Sequence, residues 1–450
     1  MRDHSRKQRG QALLMVTLAA IPMFAMVGLV VDLGYMQYMK KSTQAAADAA
    51  AYAAAIAFHS STSGSSFSCG GSIVCQSTPQ YCDPSITTAS NAIDSGCLYA
   101  KQNGFVHSDS QDVTYTAGVS ASPPTTVGLS SASYWVTFRV TQVVPQLFSA
   151  VISGQTSGMV TSRATAALVG SQDCIYLLNK AAAGALSVGG TASLTSDCGL
   201  YVDSNNSSAV GTNGGGTISA PEYDIVGGVN THYALTPSPN TGAPVAPDPL
   251  AGLSAPASAP YHCDYTNFKA NGNHSTVNLS PGVYCGGINV GNNIYNFQAG
   301  TYILVGGGLT TQDSNSSITG SGVTFYNTFG DTNKGTYSYS PTNINANSVV
   351  NLSAPTSGTY TGILFFDDRN APTDNKCTYC DNYGGGSTAV YQGTIYDKNN
   401  GITMYGNSAV SAAYTMVVAD TLNLIGTSGF NNNYSSLTGG SPLKHVALVE

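Results

Sequence analysis

The chain has 450 residues, of which only 9% are charged, against roughly a quarter in an ordinary soluble domain. Residues 1–59 hold six of the 16 Lys/Arg and three of the 23 Asp/Glu, leaving ten and 20 for the rest, a net charge of −10 there. An acidic body of this kind lacks the clustered cations of a nucleic-acid-binding protein, so no nucleic-acid partner is expected.

Residues 1–11 form a basic tail containing Arg2, Arg6, Lys7 and Arg9. Residues 12–31 follow as 20 uncharged positions, the length that crosses a bilayer as a helix. Ten of them are Leu, Ile, Val or Phe, together worth about −3 to −6 kcal/mol of insertion free energy. Pro22 is compatible with a membrane helix. A cleaved secretory signal would have an apolar core of about 7–15 residues with a small-x-small site close behind. Here Asp32-Leu33-Gly34-Tyr35-Met36 comes next, and the alanines begin only at Ala45, past Lys40 and Lys41. A retained single-pass anchor is therefore expected, with the lipid bilayer as a partner. The excess of basic residues before the span predicts a cytoplasmic N-terminus, with the residues beyond about 35 on the outer side.

Residues 32–58 predict a continuing helix: they contain no Pro, and ten alanines lie within 45–57. Gln44, Asp48, Tyr52 and Ile56 recur at four-residue spacing and form a stripe of larger side chains on it. The remaining alanine face permits close approach of a partner, either another helix of an assembly or the chain's own downstream domain. As a free stalk, this segment would project about 40 Å.

Arg9-Gly10-Gln11-Ala12-Leu13, the apolar span, Val31-Asp32-Leu33-Gly34 and Gln44-Ala45-Ala46-Ala47-Asp48-Ala49-Ala50-Ala51 together resemble the N-terminal region of TadE/TadG-like proteins of Tad/Flp pilus assembly. The resemblance is specific over about 10–58 and extends more weakly to about 169. It implies a bacterial inner-membrane protein associated with thin type IV-related pili, and therefore pilus-assembly or pilin helices as partners. Pseudopilins of that system carry Glu five residues after the processing Gly. Here that residue is Met15, which matches the unprocessed TadG-like anchors instead.

Residues 59–83, rich in Ser, Gly and Cys, read as a connector. Residues 84–170 read as a small α+β domain: a helix opening at Asp83-Pro84 and ending at Asn103-Gly104, then strands around 113–119 and 134–140. A short helix at 146–152 and a strand at 160–169 complete it. Tyr134, Val136, Phe138 and Val140 fall on one face of the second strand.

From residue 171 the texture changes to short β-prone runs separated by Gly, Asn and Ser. Pro281-Gly282-Val283-Tyr284 recurs as Ala299-Gly300-Thr301-Tyr302, 18 residues later. Short strands at a loose 18–30-residue period suggest a parallel β-helix-like solenoid, with a β-sandwich or propeller as the alternative. The expected architecture is thus mainly β, with an N-terminal transmembrane and stalk helix, a small α+β domain and a solenoid. Seven prolines in 236–260 mark a linker that would divide the β region into 171–235 and 261–450.

All ten cysteines lie beyond the span, and an even number there predicts disulfides in an oxidising compartment. Proximity favours Cys174 with Cys198, Cys263 with Cys285 and Cys377 with Cys380. Cys69, Cys75, Cys82 and Cys97 are expected to pair among themselves.

Catalytic signatures are sparse. The glycine runs do not open predicted helices, so a phosphate cradle is not expected. Asp313-Ser314-Asn315-Ser316-Ser317 lacks the Ser required at its third position for a DxSxS metal site. Asp367-Asp368-Arg369 and Asp374 are the only acidic candidates for a carbohydrate-active site. Adjacent Asp367 and Asp368 would point to opposite faces of a strand, and a solvated loop is the expected setting. No catalytic residue, metal or cofactor is therefore expected. Exposed tyrosines would offer stacking faces to surface glycans. The function expected is that of a membrane-anchored accessory protein of a Tad-type pilus or adhesion apparatus, not an enzyme. The alternatives are an anchored carbohydrate-active β-helix enzyme and a stand-alone adhesin.

Overall fold

A computed structural model describes residues 4–61, 69–70, 73–119, 132–146, 148–150, 154–269, 274–312, 316–374, 377–386, 389–406, 412–437 and 440–449. Two compact units emerge. The first comprises residues 1–61, 67–169 and 446–450, and the second 62–66 and 170–445.

The first unit is built on α1 (His4–Ser61), a single helix of 58 residues and so about 87 Å long. Its second half does not stand free as a stalk. Ala46, Ala47, Ala50, Ala51, Ala54 and Ala55 are wholly buried, at the three- and four-residue spacing that places them on one face. They pack with α2 (Ala92–Gln102) and with a sheet in which β1 (Gln76–Tyr81), β2 (Gln111–Gly118), β3 (Ala132–Pro145) and β4 (Ser157–Gly170) pair antiparallel in chain order. A further strand, Lys444–Leu448, joins β4. Of the two occupants considered for the alanine face, the chain's own α+β unit is the one that fills it.

Small size is what allows this packing. A Cβ added at Gly96 of α2 would lie 2.4 Å from the Phe138 ring and 2.7 Å from the Ala50 carbonyl oxygen. Tyr134, Val136, Phe138 and Val140 present one fully buried face of β3, and Phe58 stacks on Tyr134 with centroids 3.7 Å apart.

Two boundaries differ from the sequence expectation. The helix expected at Asp83-Pro84 begins instead after Asn91, whose side chain accepts from the Asp94 N–H (2.9 Å) while the Asp94 carboxylate accepts from the Ser90 N–H (3.0 Å). Asp83 spends its carboxylate on the N–H and hydroxyl of Ser85, a local turn that competes with a cap. The expected connector 59–83 contains β1, paired with β2. The expected short helix at 146–152 lies partly outside the described residues.

The second unit is dominated by parallel pairing between successive turns of chain. The register runs Tyr302 to Phe325, Phe325 to Phe365, Phe366 to Tyr396 and Tyr396 to Val418. A parallel ladder also joins Thr276–Leu279 to Ile294–Phe297 at the 18-residue offset, whereas the repeated motif itself pairs two residues out of that register, Gly282 with Tyr302 and Tyr284 with Leu304. This pattern is consistent with a β-helix- or solenoid-like fold.

The two β segments are continuous through hydrogen bonding, because Val417–Ala419 pairs with Ile175–Leu177. The chain thus enters the stack in its middle and winds outward through 199–202 and 223–225. It re-enters at Tyr265–Lys269 and winds back to where it began.

The proline-rich residues 236–260 make this return. They form an ordered strap rather than a free linker: Tyr201 donates to the Pro244 carbonyl, Tyr396 to Asp248, and Tyr360 to the Ser254 carbonyl (2.5, 2.8 and 2.9 Å). The strap covers outward-facing Tyr326, Phe366 and Tyr396, which are therefore almost wholly buried.

Candidate functional site

The described side chains in the first half of α1 carry large apolar groups into the open. Met15, Val16, Leu18, Met23, Met26, Val27, Leu29, Val30 and Val31 are all exposed. At about 100° per residue these positions sweep roughly 220° of the helix, and the side they leave carries Gly28 and Asp32, both buried. Exposed apolar surface of this extent marks a membrane or protein partner. Among the described residues no helix is long and apolar enough to cross a membrane. The expected span lies partly outside them, since the side chains of 12–14, 17, 20–22 and 24–25 are not described.

Where the exposed run ends, Asp32 is buried. Its carboxylate accepts from the N–H groups of Phe148 (2.9 Å) and Ser149 (2.7 Å) and from the Ser149 hydroxyl (2.7 Å). A Cβ at Gly28 would lie 2.4 Å from Phe148 Cβ, so the 148–150 segment rests directly on α1 there. Further along, Thr43 Oγ1 and Ser162 Oγ lie 2.7 Å apart and fix α1 to β4.

The stripe expected for helix docking divides. Gln44 donates to Asp48 (2.7 Å) and to the Arg163 carbonyl (3.1 Å), whereas Tyr52 and Ile56 are exposed.

The disulfides join Cys69 to Cys75, Cys82 to Cys97, Cys174 to Cys198, Cys263 to Cys285 and Cys377 to Cys380. Cys82–Cys97 ties the residue after β1 to α2, and Cys174–Cys198 joins adjacent turns of the stack.

The acidic candidates separate. Asp367 is not on a solvated loop. It is buried in the interior of the second unit, where Asn327 Nδ2 (2.8 Å) and the Tyr339 hydroxyl (2.7 Å) donate to it. Asp368 points the other way and accepts from the Thr328 hydroxyl (2.7 Å) and the Asn370 N–H (2.9 Å). Asp374 sits on the surface and accepts from the Thr378 N–H (3.0 Å). Asp313–Asn315 lies outside the described residues.

Asp381 and Asp397, which sequence reasoning missed, are the true interior companions of Asp367. Asp381 accepts from the Thr342 N–H (2.7 Å) and the Tyr383 hydroxyl (2.9 Å), and Asp397 from the Asn400 N–H (3.1 Å). Burial pushes the Asp381 and Asp397 carboxyls well above the ordinary range, reinforced by the negative field of Asp367. Asp367 is itself raised by burial, while hydrogen bonds from Tyr339 and a protonated Asp381 restrain the shift. The signal was present as a repeat: Phe325-Tyr326-Asn327, Phe365-Phe366-Asp367 and Ile395-Tyr396-Asp397 occupy the same register on neighbouring strands.

Arg369 is absorbed by the fold. Its guanidinium lies 5.2 and 5.1 Å from the ring centroids of Phe366 and Tyr396, and donates to the Tyr396 hydroxyl and the carbonyls of Leu250 and Leu253. It clamps the strap to the stack. Beside it the second unit contains a cleft of about 750 Å³, within the range of small-molecule sites.

Residues 10–57 match a family model described as putative Flp pilus-assembly TadE/G-like. No curated protein and no solved structure matches the chain.

Proposed function

We propose that this chain is a cell-envelope accessory component of a Tad-type pilus apparatus, anchored in the inner membrane by the first half of α1. The observation that carries the reading is a coincidence along one helix. The TadE/G-like match at 10–57 contains the run of exposed large apolar side chains described from Met15 to Val31 and then the buried alanines. The exposed run is suited to hydrocarbon, and the buried run is already committed to the chain's own α+β unit. Asp32 lies at the change between them and fastens the 148–150 segment, which leaves Phe148 half exposed beside Gly28. That position suits the membrane interface.

The basic tail favours a cytoplasmic N-terminus, and five disulfides favour an oxidising compartment for both units. Contacts with other pilus-assembly helices then fall to the apolar run and to exposed Tyr52 and Ile56. The role is structural rather than enzymatic. Asp367, Asp381 and Asp397 are sealed in the interior, which suits a fold-specifying cluster better than an acid–base pair.

The reading is tested by deleting the gene and counting pili by electron microscopy, with complementation by the intact chain and by an M23R/V27R double substitution. Piliation should fall on deletion and return only with the intact chain. Unchanged piliation in the deletion strain would contradict the reading.

A further inference from the structure

The cleft in the second unit lies where the stack departs from its regular period. Successive turns are 22–23 residues apart at Tyr302–Phe325 and Tyr396–Val418, but 40 apart at Phe325–Phe365 and 30 at Phe366–Tyr396. The extra residues include a hairpin, Gly330–Thr332 with Gly335–Tyr337, against which the end of the strap is held. Tyr261 N–H donates to the Asp331 carbonyl (2.8 Å), and Asn333 N–H to the Tyr261 carbonyl (3.0 Å). The Cys263–Cys285 disulfide holds the chain two residues beyond Tyr261 to the stack. Insertions in repeat folds collect on one face, where function is commonly carried. Here insertion and strap both line one cleft.

The chemistry of these walls is specific. Half-buried Phe329 and Tyr337 line the cleft together with the buried aromatic residues Tyr261, Tyr326 and Phe366. Asp331, Asp368 and Asn370 line the same cleft. Among the described residues lining the cleft, Arg369 is the single cation, and three of its five N–H groups are engaged by Tyr396, Leu250 and Leu253. The lining therefore sets two carboxylates, Asp331 and Asp368, against one guanidinium, a net negative charge that disfavours an anionic ligand. Asp331 keeps a carboxylate oxygen beyond its bond to the Thr336 hydroxyl (2.5 Å), and Asn370 keeps its amide oxygen while its Nδ2 serves Asp368. Acceptors and aromatic side chains in one lining suit a ligand with hydroxyl donors on its edge and partly positive C–H groups on its face.

We propose that this cleft binds a neutral saccharide, with Tyr337 as the stacking wall and Asp331 and Asn370 accepting from ring hydroxyls. The proposal concerns the second unit alone and does not depend on the pilus reading.

The test is calorimetric titration of the full-length chain, held in a detergent without a sugar headgroup. Cellotriose, maltotriose and tri-N-acetylchitotriose serve as neutral probes, and trigalacturonate as the anionic one. At least one neutral trisaccharide should bind, and trigalacturonate should not. Tyr337→Ala should weaken binding about tenfold or more, equivalent to about 1.4 kcal/mol. Tyr233→Ala, at an exposed tyrosine outside the cleft, should leave binding unchanged. Asp331→Asn preserves side-chain shape and should also weaken binding, so the question stays answerable if Tyr337→Ala disturbs the hairpin. The proposal is overturned if no neutral trisaccharide binds, if trigalacturonate binds more tightly, or if Asp331→Asn binds as the intact chain does.

Discussion

Alanine fills the helical core of the first unit, whereas tyrosine and phenylalanine fill much of the second. Ala46, Ala47, Ala50, Ala51, Ala54 and Ala55 let α1 approach its own sheet and α2 closely. In the second unit Tyr302, Phe325 and Phe365 stack at 5.2–5.4 Å along the turns. Both cores need close backbone approach, but they remove side chains in different places. The first unit does so along a helix face, and the second at the corners between strands. At one such corner, Gly287 has φ +71°, and an added Cβ would lie 2.4 Å from the backbone of Gly307 and Gly308. Composition therefore reports how a core is closed, beyond how apolar it is.

The largest break in this comparison should come from the corner. Gly287→Ala combines a left-handed backbone with a backbone clash and should cost the second unit about 3 kcal/mol or more. Amide exchange read separately on the two units should show the loss confined to 170–445. Ala50→Leu is the counterpart in the first unit. Overpacking against α2 should cost about 2–3 kcal/mol there, and fluorescence of Trp135, the single tryptophan, follows that unit specifically. Asp32→Ala removes an acceptor serving three donors and should cost about 2 kcal/mol, with faster amide exchange at Phe148 and Ser149.

The pH response should sharpen the contrast further. Burial raises Asp173 and Asp203 to about 6, and raises Asp381 and Asp397 well above their ordinary value. These groups hold protons in the folded state that the unfolded chain has already released near pH 4. Their contribution is complete below that pH and is lost as pH rises through the folded values. The second unit should therefore lose thermal stability from about pH 4 to 6 and further above it, as its carboxyls ionise. Asp381→Asn, which mimics the protonated form, should flatten the upper part of that slope. Near the small end, Gly34→Ala meets nothing within 4 Å and should stabilise α1 by about 0.5–1 kcal/mol.

Much of this was legible from periodicity. The β2–β4 strands and the β-rich texture follow from alternation and turn residues, and the second half of α1 from its alanine content, whereas the repeated motif pairs Gly282 with Tyr302, two residues out of its 18-residue offset. The start of α2 was misplaced because Asp83 and Asn91 are both capping types, and only tertiary context tells which one caps. The strap was hidden because proline-rich sequence looks alike whether loose or fastened, and its fastenings, Arg369, Tyr396 and Tyr201, lie far away in the chain. Asp367 looked like a surface acid because its companions Asp381 and Asp397 converge with it only through stacking. The cleft was illegible for the same reason, since its walls come from residues 255–261, 329–338 and 366–370.

The claim that joins these parts is that α1 crosses the inner membrane over 12–31 and delivers both units to the outer side. A reporter enzyme active only in the periplasm, fused after residue 60, measures this directly. Full reporter activity is expected in membrane fractions, abolished when the fusion lacks residues 12–31. A silent reporter fused after residue 60, with activity instead from a cytoplasm-dependent reporter at the same point, would contradict it.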